Sequence, residues 1–180
     1  MWGNKHEYHP GFFGERESGR RAVAGGIAFV AIAWLVGILG SLATIDNVTG
    51  WYASAEKAPW TPANEVFGPV WLILYTVMAV AAWLVWRERG SYFRRTALVL
   101  YVVQLVINAV WTPVFFGAYP LFGSAALWWG LVIILLLDVM ILVTMIAFSR
   151  VSRVAAWLLV PYWIWALYAT TLNAYLAVNN

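Results

Sequence analysis

Hydrophobic residues run almost unbroken through five long stretches of this 180-residue chain, and short polar segments separate them. Each stretch is about 20 residues or longer and nearly free of charge, which suits the hydrocarbon core of a bilayer. Backbone amides in lipid must be paired internally, and none of the stretches alternates like a barrel strand, so each is predicted to be a helix. The pattern predicts an all-α membrane protein, a bundle of five transmembrane helices. They lie at about residues 22–45, 66–86, 96–116, 122–148 and 154–177.

The composition supports this fold class and excludes several kinds of chemistry. The chain is 63% hydrophobic and 11% charged, with a mean hydropathy of +0.76, which lies outside the range of soluble domains. It has no cysteine, so disulfides and thiolate metal sites are excluded. Both histidines, His6 and His9, precede the first helix. No histidine can therefore ligate a haem within the membrane, and neither a metal site nor a cofactor is predicted.

The basic residues predict the orientation of the chain. Of the eleven, only Lys57 lies on one side of the predicted membrane, and the other ten share the opposite side. The positive-inside rule then predicts a cytoplasmic N-terminus and an external C-terminus for an integral protein of the cell membrane. Contact with anionic lipid headgroups accounts for the basic pI, and nucleic acid is not a predicted partner. The ten are Lys5, Arg16, Arg20 and Arg21 before helix 1, Arg87, Arg89, Arg94 and Arg95 between helices 2 and 3, and Arg150 and Arg153 between helices 4 and 5.

Two units are predicted, a polar cytoplasmic leader at residues 1–21 and a membrane domain at residues 22–180. The long connection in the membrane domain is an external loop at residues 46–65, which includes Tyr52 and Trp60. Aromatic side chains of this kind commonly anchor a loop at the membrane interface. The loop is also long enough to fold over the mouth of the bundle as a lid.

Small residues recur every four positions in helix 1, at Ala33, Gly37 and Ser41. Such a stripe lets another helix approach closely. The neighbouring helix can belong to the same chain or to a second copy, so a homodimer is an open alternative.

A polar stripe follows one face of helix 3, because its members are spaced by three and four residues. Two amides, Gln104 and Asn108, lie in this stripe inside an otherwise apolar span. They can serve as hydrogen-bonding groups between helices, worth about 0.6 to 2 kcal/mol each. Alternatively, they can face a cavity and orient a ligand. The stripe consists of Tyr101, Gln104, Asn108, Trp111 and Phe115.

Four aromatic residues and one amide are predicted to lie at a similar depth, near the external end of the bundle. Pro113 and Pro161 each remove a backbone hydrogen bond nearby and can open or bend their helices. We therefore expect an aromatic-walled cavity beneath the loop, with a few amides for orientation, suited to a flat hydrophobic ligand. The residues at this depth are Trp71, Asn108, Trp111, Trp165 and Tyr168.

One acid, Asp138, lies well inside a predicted helix. An aspartate at the membrane centre costs about 2.5 to 3.5 kcal/mol on insertion scales, so we expect it to be neutral or to have a partner. A proton-coupled transport role and a hydrogen-bonded packing role are both open.

Four segments resemble the tryptophan-rich sensory protein family (TspO/MBR), also called the translocator protein or peripheral-type benzodiazepine receptor family. This resemblance implies a five-helix bundle, commonly dimeric, whose pocket faces the first loop. It also implies binding of porphyrins such as protoporphyrin IX, together with sterol-like and synthetic aromatic ligands. The segments are WYASAEKAPWTPA (51–63), PVWLILYTVMAVAAWLVW (69–86), YVVQLVINAVWTPVFFG (101–117) and VPYWIWALYATTLNAYL (160–176).

The resemblance also implies roles for individual residues and leaves the activity open. Light-dependent degradation of bound porphyrin is attributed to indole radicals in some members, and Trp71 and Trp165 are the matching indoles here. A transporter of porphyrin or other lipophilic solutes is the alternative. The proposed sterol motif lacks its basic residue after Tyr175. The implied pocket wall comprises Tyr52, Trp60, Trp71, Asn108, Trp111 and Trp165.

Overall fold

The computed structural model describes residues 19–180, and five helical spans there are long and apolar enough to cross a membrane. The predicted all-α, five-span membrane fold is confirmed. Of the predicted leader, residues 1–18 lie outside the described residues. The elements are α1 (Gly19–Thr49), α2 (Trp51–Ser54), α3 (Asn64–Arg87), α4 (Arg94–Thr112), a π-helical turn (Pro113–Gly117), α5 (Tyr119–Phe122), α6 (Ser124–Ser149), α7 (Arg153–Leu158) and α8 (Val160–Asn179).

The first span is longer than its apolar pattern indicated. Helix α1 continues to Thr49, so the connection to α3 is residues 50–63, shorter than the predicted 46–65, and it contains α2. The hydroxyls of Thr44 and Thr49 donate to the carbonyls of Gly40 and Ile45, at 2.8 Å and 3.1 Å. Such bonds to the preceding turn let polar residues remain helical where the apolar run has ended.

Two of the prolines interrupt their helices, as predicted. Pro113 begins the π-helical turn that closes α4. The last span divides at Leu159, two residues before Pro161, into α7 and α8. Proline has no N–H and its ring crowds the preceding turn, so the backbone must change pitch or restart there. Pro69, in contrast, lies near the start of α3 and leaves that helix intact.

Helix α6 lies against α4 and α8, and α1 packs on α3 at the edge of the bundle. The core between the helices contains Met78, Leu127, Ile134 and Tyr162. Helix α1 is largely outside this core, with three buried residues. A Cβ on Gly37 would lie 2.7 Å from the Tyr75 ring, so this small residue accommodates a helix of the same chain.

Candidate functional site

A cavity of about 440 Å³ lies at the end of the bundle that carries the α1–α3 connection. Its volume is within the range of about 300 to 1,000 Å³ that is usual for small-molecule pockets. Helix α1, the first half of α3, the end of α4 with its π-helical turn, and α8 form the walls. The lining residues are Trp34, Gly37, Ile38, Ser41, Leu42, Thr44, Ile45, Val48, Tyr52, Asn64, Phe67, Gly68, Trp71, Leu72, Tyr75, Trp111, Thr112, Phe115, Phe116, Ala169, Leu172, Asn173 and Leu176.

Aromatic rings make up much of the wall, and their contacts hold them in place. The Trp71 ring lies 5.8 Å from the Tyr75 ring. On the facing helix, Trp111 stacks on Phe115 with the ring centroids 5.2 Å apart. The Trp111 Nε1–H donates to Asn173 Oδ1 at 3.2 Å. Since aromatic rings stack well on flat π systems, this wall favours a planar apolar ligand.

A few polar groups interrupt the apolar wall. The hydroxyls of Ser41 and Thr112 make no hydrogen bond within residues 19–180, and neither does the Asn64 amide at the edge of the cavity. The Asn173 amide, in contrast, is bonded at both its oxygen and its nitrogen, because it also donates to the Leu127 carbonyl at 2.9 Å. The free hydroxyls are therefore the wall groups that can bind polar substituents of a ligand.

Helix α2 forms the roof of the cavity. The Tyr52 ring is buried against Phe116, with the centroids 5.2 Å apart. Its neighbour Trp51 stacks on Tyr119 at 3.9 Å and donates from Nε1 to the Phe116 carbonyl at 2.8 Å. Burial, aided by the nearby Tyr168, raises the pKa of the Tyr52 phenol, so its hydroxyl stays neutral at physiological pH.

The rest of the connection is held to the C-terminal end of α8. The backbone N–H of Glu56 donates to Asn180 Oδ1 at 2.9 Å, and Asn180 Nδ2 donates to the Glu56 carbonyl at 3.1 Å. The Tyr168 hydroxyl donates to the Trp60 carbonyl at 2.6 Å, and Trp60 Nε1 donates to the Thr171 hydroxyl at 3.3 Å. These bonds fix the connection as a cover on the α8 side of the cavity.

The opposite side of the cavity is open between α1 and α3. Three α1 residues of the wall are at least half exposed, Ile38 at 50%, Leu42 at 65% and Ile45 at 55%. Below the opening, Trp34 Nε1 donates to the Thr76 hydroxyl at 2.9 Å and closes the seam between the helices. These exposed side chains are apolar, as expected of a surface that faces lipid in a membrane bundle.

Comparison with known proteins identifies the family. The TspO/MBR family model matches residues 29–178. The chain belongs to the TspO/MBR family. It is similar to the translocator protein of Bos taurus, 36% identical over 149 residues that cover 82% of this chain and 85% of the relative. The human translocator protein is 41% identical over 125 residues, covering 68% and 70%. The tryptophan-rich protein TspO of Archaeoglobus fulgidus is 34% identical over 148 residues, covering 82% and 91%.

Three of the eight predicted site residues line the cavity of this TspO/MBR protein, namely Tyr52, Trp71 and Trp111. The two predicted amides lie behind the wall. Asn108 accepts a hydrogen bond from the Tyr75 hydroxyl, and its amide nitrogen lies 3.1 Å from the Tyr162 hydroxyl. Of the two alternatives for this residue, the geometry corresponds to hydrogen bonding between helices.

Gln104, the other amide, is buried one turn deeper in the bundle. Its Nε2 lies 4.0 Å from the sulfur of Met78, and its Oε1 has no partner within residues 19–180. It does not border the cavity. Its amide is therefore poorly satisfied, in contrast to that of Asn108.

The remaining three predicted residues, Trp60, Trp165 and Tyr168, form an aromatic group beside the cavity. The Trp165 ring lies 5.9 Å from that of Phe67, which belongs to the wall. Its buried Nε1 has no acceptor within residues 19–180. Trp165 thus supports the wall through Phe67, while Trp60 and Tyr168 hold the cover.

Sequence reasoning missed the contribution of α1, including Trp34, and it missed Asn173. Asn173 had the same signal as Asn108, an amide inside a transmembrane span, and it shares a helical face with Ala169 and Leu172. Gly130 makes room for it, because a Cβ there would lie 3.1 Å from Asn173 Oδ1. The α1 residues carried no such signal, since a lining face and a lipid face are equally apolar.

The buried acid lies outside the cavity. Asp138 Oδ2 is 2.8 Å from the Thr170 hydroxyl, and its backbone carbonyl accepts from Trp163 Nε1 at 3.1 Å. These contacts join α6 to α8. One carboxylate oxygen of Asp138 therefore has a partner, as expected from its cost in the membrane, while the buried Oδ1 has none within residues 19–180.

Proposed function

We propose that this TspO/MBR protein is a membrane receptor that binds tetrapyrroles and other flat hydrophobic ligands in the cavity beneath α2. The observation that carries the proposal is the aromatic wall itself, about 440 Å³ in volume and interrupted by few polar groups. Planar conjugated rings gain most from such a wall, since the Trp71 face and the Trp111–Phe115 stack offer π surfaces. The hydroxyls of Ser41 and Thr112 would bind the polar substituents.

Access follows from the shape of the cavity. A hydrophobic ligand partitions into lipid, and the opening between α1 and α3 is lined by exposed Leu42 and Leu72. The cover on the α8 side excludes water while this opening admits the ligand. The proposed route is therefore lateral, from the bilayer.

Binding accounts for the cavity better than transport does. The names of the bovine and human relatives refer to translocation. However, the lining within residues 19–180 reaches no deeper than Trp34, Tyr75 and Ala169. Beneath it lie Asn108 and Tyr162, both fully buried. A solute would have to cross this packed layer to reach the basic end of the bundle.

Absorbance titration of the purified protein with protoporphyrin IX tests the proposal. We expect Trp71→Leu to weaken binding about tenfold, because it removes an aromatic face from the wall. Trp157→Leu is the matched control, since Trp157 is 72% exposed and lies near the basic end. Trp165→Leu should have a smaller effect than Trp71→Leu. Equal affinity for wild type and Trp71→Leu, or a larger loss with Trp165→Leu, would place the porphyrin elsewhere.

Light-dependent degradation of the bound porphyrin is the second candidate function. The observation that favours it is the position of Trp71, whose oxidisable indole borders the cavity. Illumination in air, with oxygen as the oxidant, should bleach the porphyrin absorption to a defined product in wild type. The Trp71→Phe variant, assayed at saturating porphyrin, should bleach no faster than free porphyrin. Equal bleaching in both proteins would leave binding as the sole activity.

A further inference from the structure

A second concave surface lies at the opposite, basic end of the bundle. It is a groove between the end of α3 and the first turns of α4, remote from the cavity beneath α2. One end of the groove is basic and the remainder is apolar. The lining residues are Trp86, Arg94, Arg95, Leu98, Val99, Val102 and Val103.

Within residues 19–180, neither arginine at the groove forms a side-chain hydrogen bond or an ion pair. Arg94 places its guanidinium 5.9 Å from the centre of the Trp86 ring, and its buried Nε has no acceptor within residues 19–180. Arg95 is exposed, and it forms no ion pair with the described part of the chain. An arginine resting on an indole is held in position while its N–H donors remain available to an anion.

The indole beneath Arg94 is itself immobilised by α1. A Cβ on Gly25 would lie 2.7 Å from the Trp86 ring, and the Phe29 ring packs edge-on at 6.3 Å. The platform for Arg94 is therefore built into the fold. A site of this kind does not need a ligand to assemble it.

The groove has the dimensions of a lipid headgroup region followed by an acyl chain. From Arg94 to Val102 the helix rises about 12 Å, at 1.5 Å per residue. The arginines thus lie at the end of the span, where headgroup phosphates occur, while Val102 and Val103 lie about two turns deeper in the hydrocarbon region. Basic pockets between helices at this side of a membrane protein are suited to anionic lipid.

We propose that the groove binds one anionic phospholipid of the adjacent leaflet. Its phosphate lies between the guanidinium groups of Arg94 and Arg95, and one acyl chain follows Val99, Val102 and Val103. A zwitterionic lipid presents an ammonium group to the same arginines and binds more weakly. The charge of the two arginines therefore selects the headgroup, and the apolar floor selects a lipid over a soluble anion.

Native mass spectrometry of the full-length protein with added phosphatidylglycerol, or with phosphatidylcholine of the same chains, tests this site. We expect one tightly bound phosphatidylglycerol. The double variant Arg94→Gln with Arg95→Gln should weaken it about 30-fold, since each basic residue near the surface contributes a factor of roughly five. The control Arg20→Gln with Arg21→Gln removes the same charge from the same end, outside the groove, and should keep the lipid bound.

Val102→Trp, which fills the groove, should weaken phosphatidylglycerol binding, while Val106→Trp should not. The two valines are equally exposed, at 55% and 56%, and Val106 lies outside the groove.

Several outcomes would overturn the proposal. If phosphatidylglycerol and phosphatidylcholine are retained equally, the arginines do not select the headgroup. If both double variants lose phosphatidylglycerol equally, the binding depends on the overall charge at this end of the bundle and not on the groove. Displacement of the lipid by inorganic phosphate at similar concentration would leave a soluble-anion site. A lipid-free dimer that dissociates only in the Arg94 and Arg95 variant would assign the groove to a second copy of the chain.

Discussion

The cavity beneath α2 and the hydrogen-bonded cluster directly below it contain similar side chains and differ in how those side chains are satisfied. In the cluster, Asn108 joins the hydroxyls of Tyr75 and Tyr162, and all three residues are buried. In the cavity wall, the hydroxyls of Ser41 and Thr112 have no partner among the described residues. Polar groups that satisfy one another stabilise packing, whereas polar groups left free beside a void can bind a ligand.

Tyr75 marks the boundary between the two regions. One face of its ring borders the cavity, and its hydroxyl bonds to Asn108 in the cluster. Trp111 is held differently, since its ring faces the cavity and its Nε1 bonds to Asn173, which also lines the cavity. The cluster therefore holds the Tyr75 ring in position, and Asn173 holds the Trp111 ring from within the wall.

The largest expected effect comes from breaking the cluster. We expect Asn108→Leu to destabilise the protein by about 1 to 3 kcal/mol, because it leaves two buried tyrosine hydroxyls without a partner. Unfolding in mixed micelles containing dodecyl sulfate, followed by circular dichroism, measures the loss. Porphyrin affinity of the folded variant should fall less than in Trp71→Leu.

Gln104→Leu is the matched control in the same helix. Its Oε1 has no partner in the described part of the chain, so the exchange for an apolar residue of similar size should be close to neutral or stabilising. A Gln104→Leu variant that loses as much stability as Asn108→Leu would show that the hydrogen bonds of Asn108 are not what distinguishes the cluster.

A smaller effect is expected where α1 meets the boundary residue. Gly37→Ala places a Cβ 2.7 Å from the Tyr75 ring, and that ring cannot move freely because its hydroxyl is bonded to Asn108. We expect a loss of about 1 to 2 kcal/mol from overpacking, together with a wider opening between α1 and α3. Gly68→Ala is the matched control, because a Cβ at Gly68 would have no atom of another described element within 4 Å, and it should leave stability unchanged or raise it. Equal stability of both variants in the micelle assay would refute the close contact.

The smallest effect is expected at the roof, from the titration of Tyr52. Its pKa is raised above the usual 10.0, first by burial, so the folded state holds the phenol proton more tightly than the unfolded state does. Its contribution to stability is therefore constant below pH 10 and is lost as the pH rises through the folded-state pKa. Thermal unfolding between pH 8 and 11 should show a steeper decline above pH 10 in wild type than in Tyr52→Phe. Parallel curves would mean that Tyr52 is not buried as a neutral phenol.

Much of the fold could be predicted because a bilayer restricts what an apolar chain can form. The five spans follow from stretches of hydrophobic residues, and the irregular backbone at Pro113 and near Pro161 follows from the missing N–H. The end of α1 could not be predicted in this way. Its last residues are polar, and local hydroxyl bonds such as that of Thr49 keep them helical.

The candidate site was predicted less completely than the fold. Helical spacing placed Asn108 and Trp111 on one face of α4, and both lie on the side toward α8. The spacing could not distinguish Trp111, which borders the cavity, from Asn108, which is one turn deeper and covered by Tyr75 and Tyr162. The position of a residue along a helix sets its depth in the membrane and the direction of its side chain. Whether that side chain contacts a cavity or another residue depends on the neighbouring helices.

The sequence by itself determined that this is a five-span membrane protein of the TspO/MBR family, since span length, proline positions and family motifs are local properties. Only the tertiary structure decided that α1 supplies one wall of the cavity and that Trp165 stands behind Phe67. The physical reason is that lipid and a hydrophobic cavity select the same residues. In a membrane protein, apolar side chains therefore identify a span without revealing whether they face the bilayer, another helix or a ligand.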